Sequence, residues 1–436
     1  MKKSLVAVLV VLAVIIIVSP GILGRMAEKS VDENLNRAAA EQGDIVVSSD
    51  SFDRGWFSSE GQHRIEVKGG SLGVMLTEVT PENESLPVLL IDTHIDHGLI
   101  PVTSLSRERG SLAPGLGRAV STLSIELGDG ETIEIPGKIY SNLGLAGALE
   151  SSYLVDEGSH TIDGTRIGWG TSKIDITTSA TSGDVEFAGE VSGLSFSDRA
   201  ESLELGALTF SGSHKPTKYG FSVGDMQMEL DGMSVTTNGV AAGGIKSMSV
   251  DGFTKLDGDR VGGRTTFAME SQTLPMFGEV QVSGDFSLNG ADAEAIGNLT
   301  RKMNAMGPAE DPMQNFPEIE EDLKRLLASG VELRFDQFDV ALPMGTVETQ
   351  LSLAVAEDDA ATFEWTSLLL STAGGAKISV PAELVDMALA MNPQAGAMIG
   401  MGFLIKNGDV YEMDAKLEKG LLTVNGAPIP IPLGGF

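Results

Sequence analysis

The run Leu123-Ser124-Ile125-Glu126-Leu127, then Gly128-Asp129-Gly130, then Ile133-Glu134-Ile135, sets the reading of everything on either side of it. Every second residue in both arms is apolar. A strand points successive side chains to opposite faces, so each arm has one oily and one wet side. Gly-Asp-Gly between them supplies residues that tolerate the backbone of a tight reversal. The stretch is an antiparallel hairpin with half of its surface made for a core.

The same period of two recurs outward from there. Leu203 and Leu205, Leu208 and Phe210, Tyr219 to Val223, and Met226, Met228 and Leu230 alternate in one direction; Ile65 and Val67 alternate in the other. The spacing is too irregular for a solenoid. It predicts a mainly β fold with a few helices, an extended, bent antiparallel sheet with one wet face and one dry one. The bend is placed at Asp336-Gln337, where Val331, Leu333 and Phe335 give way to Phe338, Val340 and Leu342 and the alternation changes parity. A parity change needs an extra residue on one strand, a bulge.

Helical spacing interrupts this pattern three times. Ile296, Leu299, Met303 and Met306 form a stripe within residues 291–306, and Ile319, Leu323, Leu326 and Leu327 form another within 317–329, with Pro317 opening it and Gly330 closing it. Pro381 opens a third, at 381–392, stopped by Asn392-Pro393. Residues 44–436 are read as one β-rich domain carrying these helices.

The N-terminus has a different solvent. Lys2 and Lys3 precede an apolar run from Leu5 to Val18, and Ile22 and Leu23 follow Ser19-Pro20-Gly21. A helix of about 20 apolar residues spans a bilayer, and flanking lysines keep its N-terminus in the cytoplasm. Residues 1–24 therefore read as an uncleaved membrane anchor, a cleaved signal peptide being the other reading. In both, the bulk of the chain is exported. Residues 25–43, with Ser30 and Glu33 in capping-box spacing, read as a helical stalk.

Charge narrows the partners. With 30 Lys and Arg against 61 Asp and Glu the formal charge is −31, which repels phosphate backbones and argues against nucleic acid. The chain has no cysteine, so neither a disulfide nor a thiolate-held metal contributes to stability.

Two short motifs carry most of the chain's individuality. One is the turn Phe52-Asp53-Arg54-Gly55-Trp56-Phe57-Ser58-Ser59; the other is the strand end Asp96-His97-Gly98. With the basic-hydrophobic anchor and an apolar pair ahead of Asn425-Gly426, they resemble the YdgA-like family of bacterial envelope proteins, a family of unknown function. The family usually has Asp-His-Gly-Pro, where this chain has Leu99 in the proline position and Pro101 two residues later. The resemblance implies a single-pass inner-membrane protein, N-terminus cytoplasmic and bulk periplasmic, with no established catalysis.

Each motif has a chemical and an architectural reading. Arg54, flanked by Phe52, Trp56 and Phe57, suits a lipid phosphate with aromatics at an interface; equally, Gly55 permits the turn while Ser58, Ser59, Asp96, His97 and Gly98 complete it. In Asp92-Thr93-His94-Ile95-Asp96-His97, residues 92, 94 and 96 share one strand face, as ligands to one metal ion would, with His97 beside them. Later His160, Asp184 and His214 extend that alternative to two metals. Against it, nothing between Gly98 and His160 has the helical period that a metallo-β-lactamase-like fold requires soon after the motif. There is no Gly-x-Ser-x-Gly, Walker loop, dinucleotide fingerprint or His-Glu-x-x-His, and no motif calls for a cofactor. The leading expectation is a non-enzymatic envelope protein that binds a lipid, a hydrophobic ligand or an envelope protein. The alternative is a metal-dependent hydrolase centred on Asp92, His94, Asp96 and His97.

Overall fold

A computed structural model describes residues 45–430, apart from 55–57, 69–72, 74–76, 78–84, 98–116, 272–277, 306–315 and 392–395 and the single positions 129, 145, 163, 180 and 199. Residues 1–24, read above as an anchor, residues 25–43, read as a stalk, and Gly55, Trp56, Phe57 and Gly98 lie outside the described residues, as do the side chains of Arg54 and His97. The chain is mainly β and its strands pair antiparallel. No described helix is long and apolar enough to cross a membrane.

The chain divides into two compact units. The first comprises Met1–Thr217 with Thr236–Val240 and Met303–Asp311. Its strands are β1 (Ile45–Arg54), β2 (Ser58–Val67), β3 (Val88–His97), β4 (Gly117–Glu126), β5 (Thr132–Leu143), β6 (Leu149–Val155), β7 (Gly158–Ile162), β8 (Thr165–Trp169), β9 (Ser172–Thr178), β10 (Val185–Val191), β11 (Leu194–Ser197), β12 (Glu201–Leu205) and β13 (Leu208–Pro216). β1 to β6 form a meander, each beside the next, and the ladder continues β6–β9–β10–β13. β7, β8, β11 and β12 pair in a second run.

The β4–β5 hairpin shows why the alternation worked. Leu123, Ile125, Leu127 and Ile135 are all buried in one apolar cluster with Ile65, Ile91, Ile139 and Ile174, each worth about 1.5–3 kcal/mol relative to exposure. Gly130, at φ 83°, makes the reversal, its N–H donating to the Leu127 carbonyl at 2.9 Å. Pro136 sits inside β5, and the ladder slips there, between Ser121 and Leu123, because proline has no N–H to donate. Gly137 follows at φ 100°, and a Cβ on it would lie 2.4 Å from the Leu154 carbonyl oxygen. Buried Tyr153 donates its hydroxyl to the Pro136 carbonyl at 2.5 Å, and burial pushes its pKa up.

The second unit comprises Lys218–Val235, Ala241–Lys302 and Pro312–Phe436. After β14 (Ser222–Leu230), β15 (Met233–Thr237) and β16 (Val240–Asp257) come β17 (Arg260–Ser271), β18 (Gln281–Asp292), β19 (Glu332–Leu342), β20 (Gly345–Val355), β21 (Thr372–Pro381), β22 (Ile405–Asn407), β23 (Val410–Glu418), β24 (Leu421–Val424) and β25 (Ala427–Ile429). The ladder runs β14–β16–β17–β18–β19–β20–β21–β23–β24–β25. At Asp336-Gln337 the β19–β20 register shifts between Phe335 and Phe338, which is the bulge the parity change called for.

Helices α1 (Ala293–Ala305) and α2 (Phe316–Ala328) separate β18 from β19; α3 (Leu368–Ser371), α4 (Ala382–Met391) and α5 (Gly396–Gly400) come later. Asp292 caps α1 by accepting the Ala295 N–H at 2.8 Å, and Arg325 Nε on α2 holds the same carboxylate at 2.9 Å. Lys302 Nζ and Asn298 Nδ2 reach Asp322 at 2.6 and 2.7 Å. Ile296 and Leu326 pack on Val261 and Ala291 at one end of the sheet.

Candidate functional site

Arg54 ends β1 opposite Ser59, and Ser58 stands opposite Asp96. Asp92, His94 and Asp96 do share a face of β3, beside Gln62, Glu60 and Ser58 of β2. Gln62 donates to Asp92 at 2.9 Å; His94 Nδ1 lies 3.2 Å from Glu60 Oε1 and its Nε2 3.4 Å from Asp96 Oδ1. Asp96 is 2% exposed. Both ring nitrogens of His94 thus face carboxylates, Glu60 from β2 and Asp96 from β3 itself, which orients the ring, and the Glu60 contact ties β2 to β3. Elsewhere, exposed His160 stands on β7 opposite Ile167, and His214 stands on β13 opposite Val185, its pKa lowered by burial. Among the described residues no group of three or more His, Cys, Asp or Glu is placed to hold a metal ion.

A second feature, on the other unit, has no motif to announce it. Cross-strand partners share a face, so the register of β14 to β23 sorts the side chains. One row reads Met228, Val250, Phe267, Gly284, Phe338, Thr349, Ile378, Met413. The next reads Met226, Gly252, Thr265, Phe286, Phe335, Leu351, Ala376, Ala415, and the two outer rows contain Leu288, Leu333, Leu353 and Leu417 on one side and Met248, Met269, Val282, Val340 and Val380 on the other. None of these rows carries Asp, Glu, Lys or Arg. The bulge at Asp336-Gln337 keeps Phe335 and Phe338 on this one face.

The face is not closed over. Met226 is 46% exposed, Phe338 37%, Leu351 40% and Leu353 41%. The buried clusters under α1, α2 and Phe363 lie at one end of the strands, around Val261 and Val355. Strand spacing of about 4.8 Å over eight strands, by four rows at about 6.8 Å, makes a field of roughly 34 by 20 Å. That exceeds the few hundred Å² of apolar patch usual on a soluble monomer. Its relief is low: Phe267 lies flat over Gly284, where a Cβ would come within 2.2 Å of the ring, and the Phe267 and Phe338 centroids are 6.3 Å apart.

The reverse of the sheet is its opposite in chemistry. Gln227 donates to Asp251 at 2.8 Å, and Arg264 makes a close bidentate pair with Asp285, holding that carboxyl below its usual pKa. Two open troughs of about 840 and 580 Å³ lie on this side, sharing Asp339 and Glu348. The separation of charged from charge-free faces was present in the alternation of each strand. That the dry face stays half open depends on what packs against it, and strand period does not encode that.

The chain was compared with known proteins. It is 22% identical to Protein YdgA of Escherichia coli (strain K12) over 344 residues, which cover 73% of this chain and 66% of that protein. No solved structure matches. The family model described as "Bacterial protein of unknown function (DUF945)" matches residues 1–432. By a match that takes in both units and all but the last residues, the chain belongs to the DUF945 family, to which the basic-apolar N-terminal sequence, the Arg-Gly turn and the Asp-His-Gly strand end had pointed.

Proposed function

We propose that this protein is a non-enzymatic component of the bacterial envelope, held at the inner membrane by residues 1–24, that binds lipid on the charge-free face of its second unit. The observation carrying the reading is that face: four rows without a charged side chain, with Phe338 and Leu351 in its inner rows and Leu353 in an outer one all more than a third exposed. Apolar surface left in water is unfavourable by about 25 cal/mol per Å², so a molecule with acyl chains gains by covering it. Met226, Met228, Met248 and Met269 along one side suit a ligand of variable shape, since methionine repacks readily.

The test is acquisition of a fluorescent phospholipid by the purified full-length chain, wild type against Phe338→Glu and Leu351→Glu. Each substitution puts a charge into the field from an already partly exposed position, and loss of at least tenfold in affinity is expected, about 1.4 kcal/mol. Unchanged uptake by both variants would overturn the reading. Export is tested separately with a C-terminal alkaline phosphatase fusion to the full-length chain, expected to be active because that enzyme matures only outside the reducing cytoplasm; an inactive fusion would contradict it.

A further inference from the structure

We infer that Leu370, Lys419 and Leu421 form a membrane-contact tip on the second unit, one that enters the head-group layer of a phospholipid bilayer. The inference stands apart from the dry face and from lipid uptake there.

The turn from β23 to β24 carries it. Glu418 pairs with Leu421, so Lys419 and Gly420 are the two central residues of a hairpin, and both have positive φ, 49° and 77°. That is the geometry of a type I′ turn, whose first central position favours asparagine or glycine because other side chains crowd the backbone there. Among the described residues the other non-glycines with positive φ are Asn238 at 53° and Asn425 at 50°, each followed by a glycine. The β23–β24 turn thus holds a lysine where the chain elsewhere uses asparagine. A side chain kept in an unfavourable backbone region points to a use for the side chain itself. Lys419 is exposed.

Leucines flank that lysine. Leu421 is 55% exposed and Leu370 64%, the two most exposed leucines among the described residues. Single exposed apolar side chains are ordinary, but these two meet at one place: a Cβ on Gly420 would lie 3.0 Å from Leu370 Cδ2. The exposure of Leu370 is built into α3. Leu368 packs on the cluster of Ala328, Val355 and Phe363, and Thr372 Oγ1 and Ser371 Oγ donate to the Leu368 carbonyl at 2.6 and 3.1 Å. With Leu368 held inward, Leu370 is left in water.

Two leucines at a hairpin tip are too little for a stable protein interface, which takes about 800 Å² from each partner. They suit a bilayer, where apolar side chains sink to the boundary of head groups and acyl chains while a lysine lays its stem along them and its ammonium at the phosphates. Glu418 and the exposed Glu357, Asp358 and Asp359, on the segment whose Ala356 N–H donates to the Ser371 carbonyl, stay in water because burying a charge is costly. The contact is therefore confined to the tip.

The chain has no cysteine, so a single one can be labelled. Full-length protein with Glu418→Cys carrying an environment-sensitive fluorophore is reconstituted in phosphatidylethanolamine–phosphatidylglycerol vesicles that contain a phosphatidylcholine spin-labelled near its head group. Ser249→Cys, exposed on the reverse face of β16, is the control. Quenching at position 418 is expected to be about threefold that at 249, and to be abolished by Leu370→Glu with Leu421→Glu. Lys419→Asn is expected to raise the urea midpoint, because asparagine fits the turn, and yet to weaken the quenching about twofold, because the ammonium is lost. Equal quenching at 418 and 249, quenching that survives the double substitution, or a lowered urea midpoint with unchanged quenching in Lys419→Asn overturns the inference. Phospholipid uptake by the dry face is measured on the same variants and is expected unchanged, so its failure in the parent counts against that reading alone.

Discussion

Replacing Gly297 by alanine sets two well-known effects against each other. Gly297 lies inside α1, where glycine is about 0.8–1 kcal/mol less favourable than alanine, so helix propensity alone makes Gly297→Ala stabilising. The packing says otherwise. A Cβ at this position would stand 2.1 Å from the carbonyl oxygen of Tyr219 and 3.1 Å from its carbonyl carbon, both backbone atoms. An ordinary carbon–oxygen approach is about 3.3–3.6 Å, so α1 or the segment leading into β14 must retreat by more than about 1 Å. Neither is free to do so. Arg301 donates to the same Tyr219 carbonyl at 3.3 Å, Asp292 caps the helix, and Lys302 is held by Asp322. Overpacking of this kind costs about 1–3 kcal/mol or more, so the net expectation is destabilisation of about 1–2 kcal/mol.

The assay needs to see the second unit alone. Trp365 packs against Phe316 at 5.7 Å and donates to Glu320 of α2, so its fluorescence reports the helix pair. The chain has three tryptophans, and a Trp56→Phe, Trp169→Phe background leaves Trp365 as the sole one. Urea titration in that background is expected to give a lower midpoint for Gly297→Ala. Gly400→Ala serves as the contrast, since that glycine also sits in a helix but its Cβ meets open space; it is expected to gain a few tenths of a kcal/mol from propensity. A midpoint for Gly297→Ala above that of the parent would refute the close approach of α1 to Tyr219 and the packing drawn from it.

Two further outcomes follow from buried polar contacts. Tyr153→Phe leaves the Pro136 carbonyl at the β5 bulge without its hydroxyl donor and is expected to cost the first unit about 1–2 kcal/mol; a thermal midpoint equal to the parent's would show that the bulge does not need it. Burial raises the pKa of Asp322, but hydrogen bonds from Lys302 and Asn298 and the nearby charges of Lys302 and Arg325 outweigh it, leaving the carboxyl below its ordinary value. Its contribution is therefore present above the unfolded value of about 3.9 and lost as pH falls through the folded value. The stability difference between the parent and Asp322→Asn is expected to narrow below about pH 4; a difference constant down to pH 2 would contradict the assignment.

Much of the strand pattern was legible in the sequence because a half-buried strand repeats every two residues. Leu123, Ile125 and Leu127 went inward, Gly130 made the turn, and the change of parity at Asp336-Gln337 marked the bulge between Phe335 and Phe338. Family membership was legible from motifs a few residues long. The division of the 44–436 region into two compact units was not, since the alternation continues across Thr217 and Lys218 without a linker-like break.

What the sequence determined by itself was which residues sit on the dry side of each strand, because that depends only on the direction of successive Cα–Cβ bonds. Which dry sides find a cover was decided by tertiary structure. In the first unit Leu123 and Ile174 are 1% exposed, whereas in the second Phe338 and Leu351 remain more than a third open. The two sets have the same period and similar hydrophobicity. Cover comes from elements distant in the chain, such as α1 and α2 docking by Asp292, Arg325 and Asp322 at one end of the sheet. The candidate site is the part of the dry face those helices do not reach.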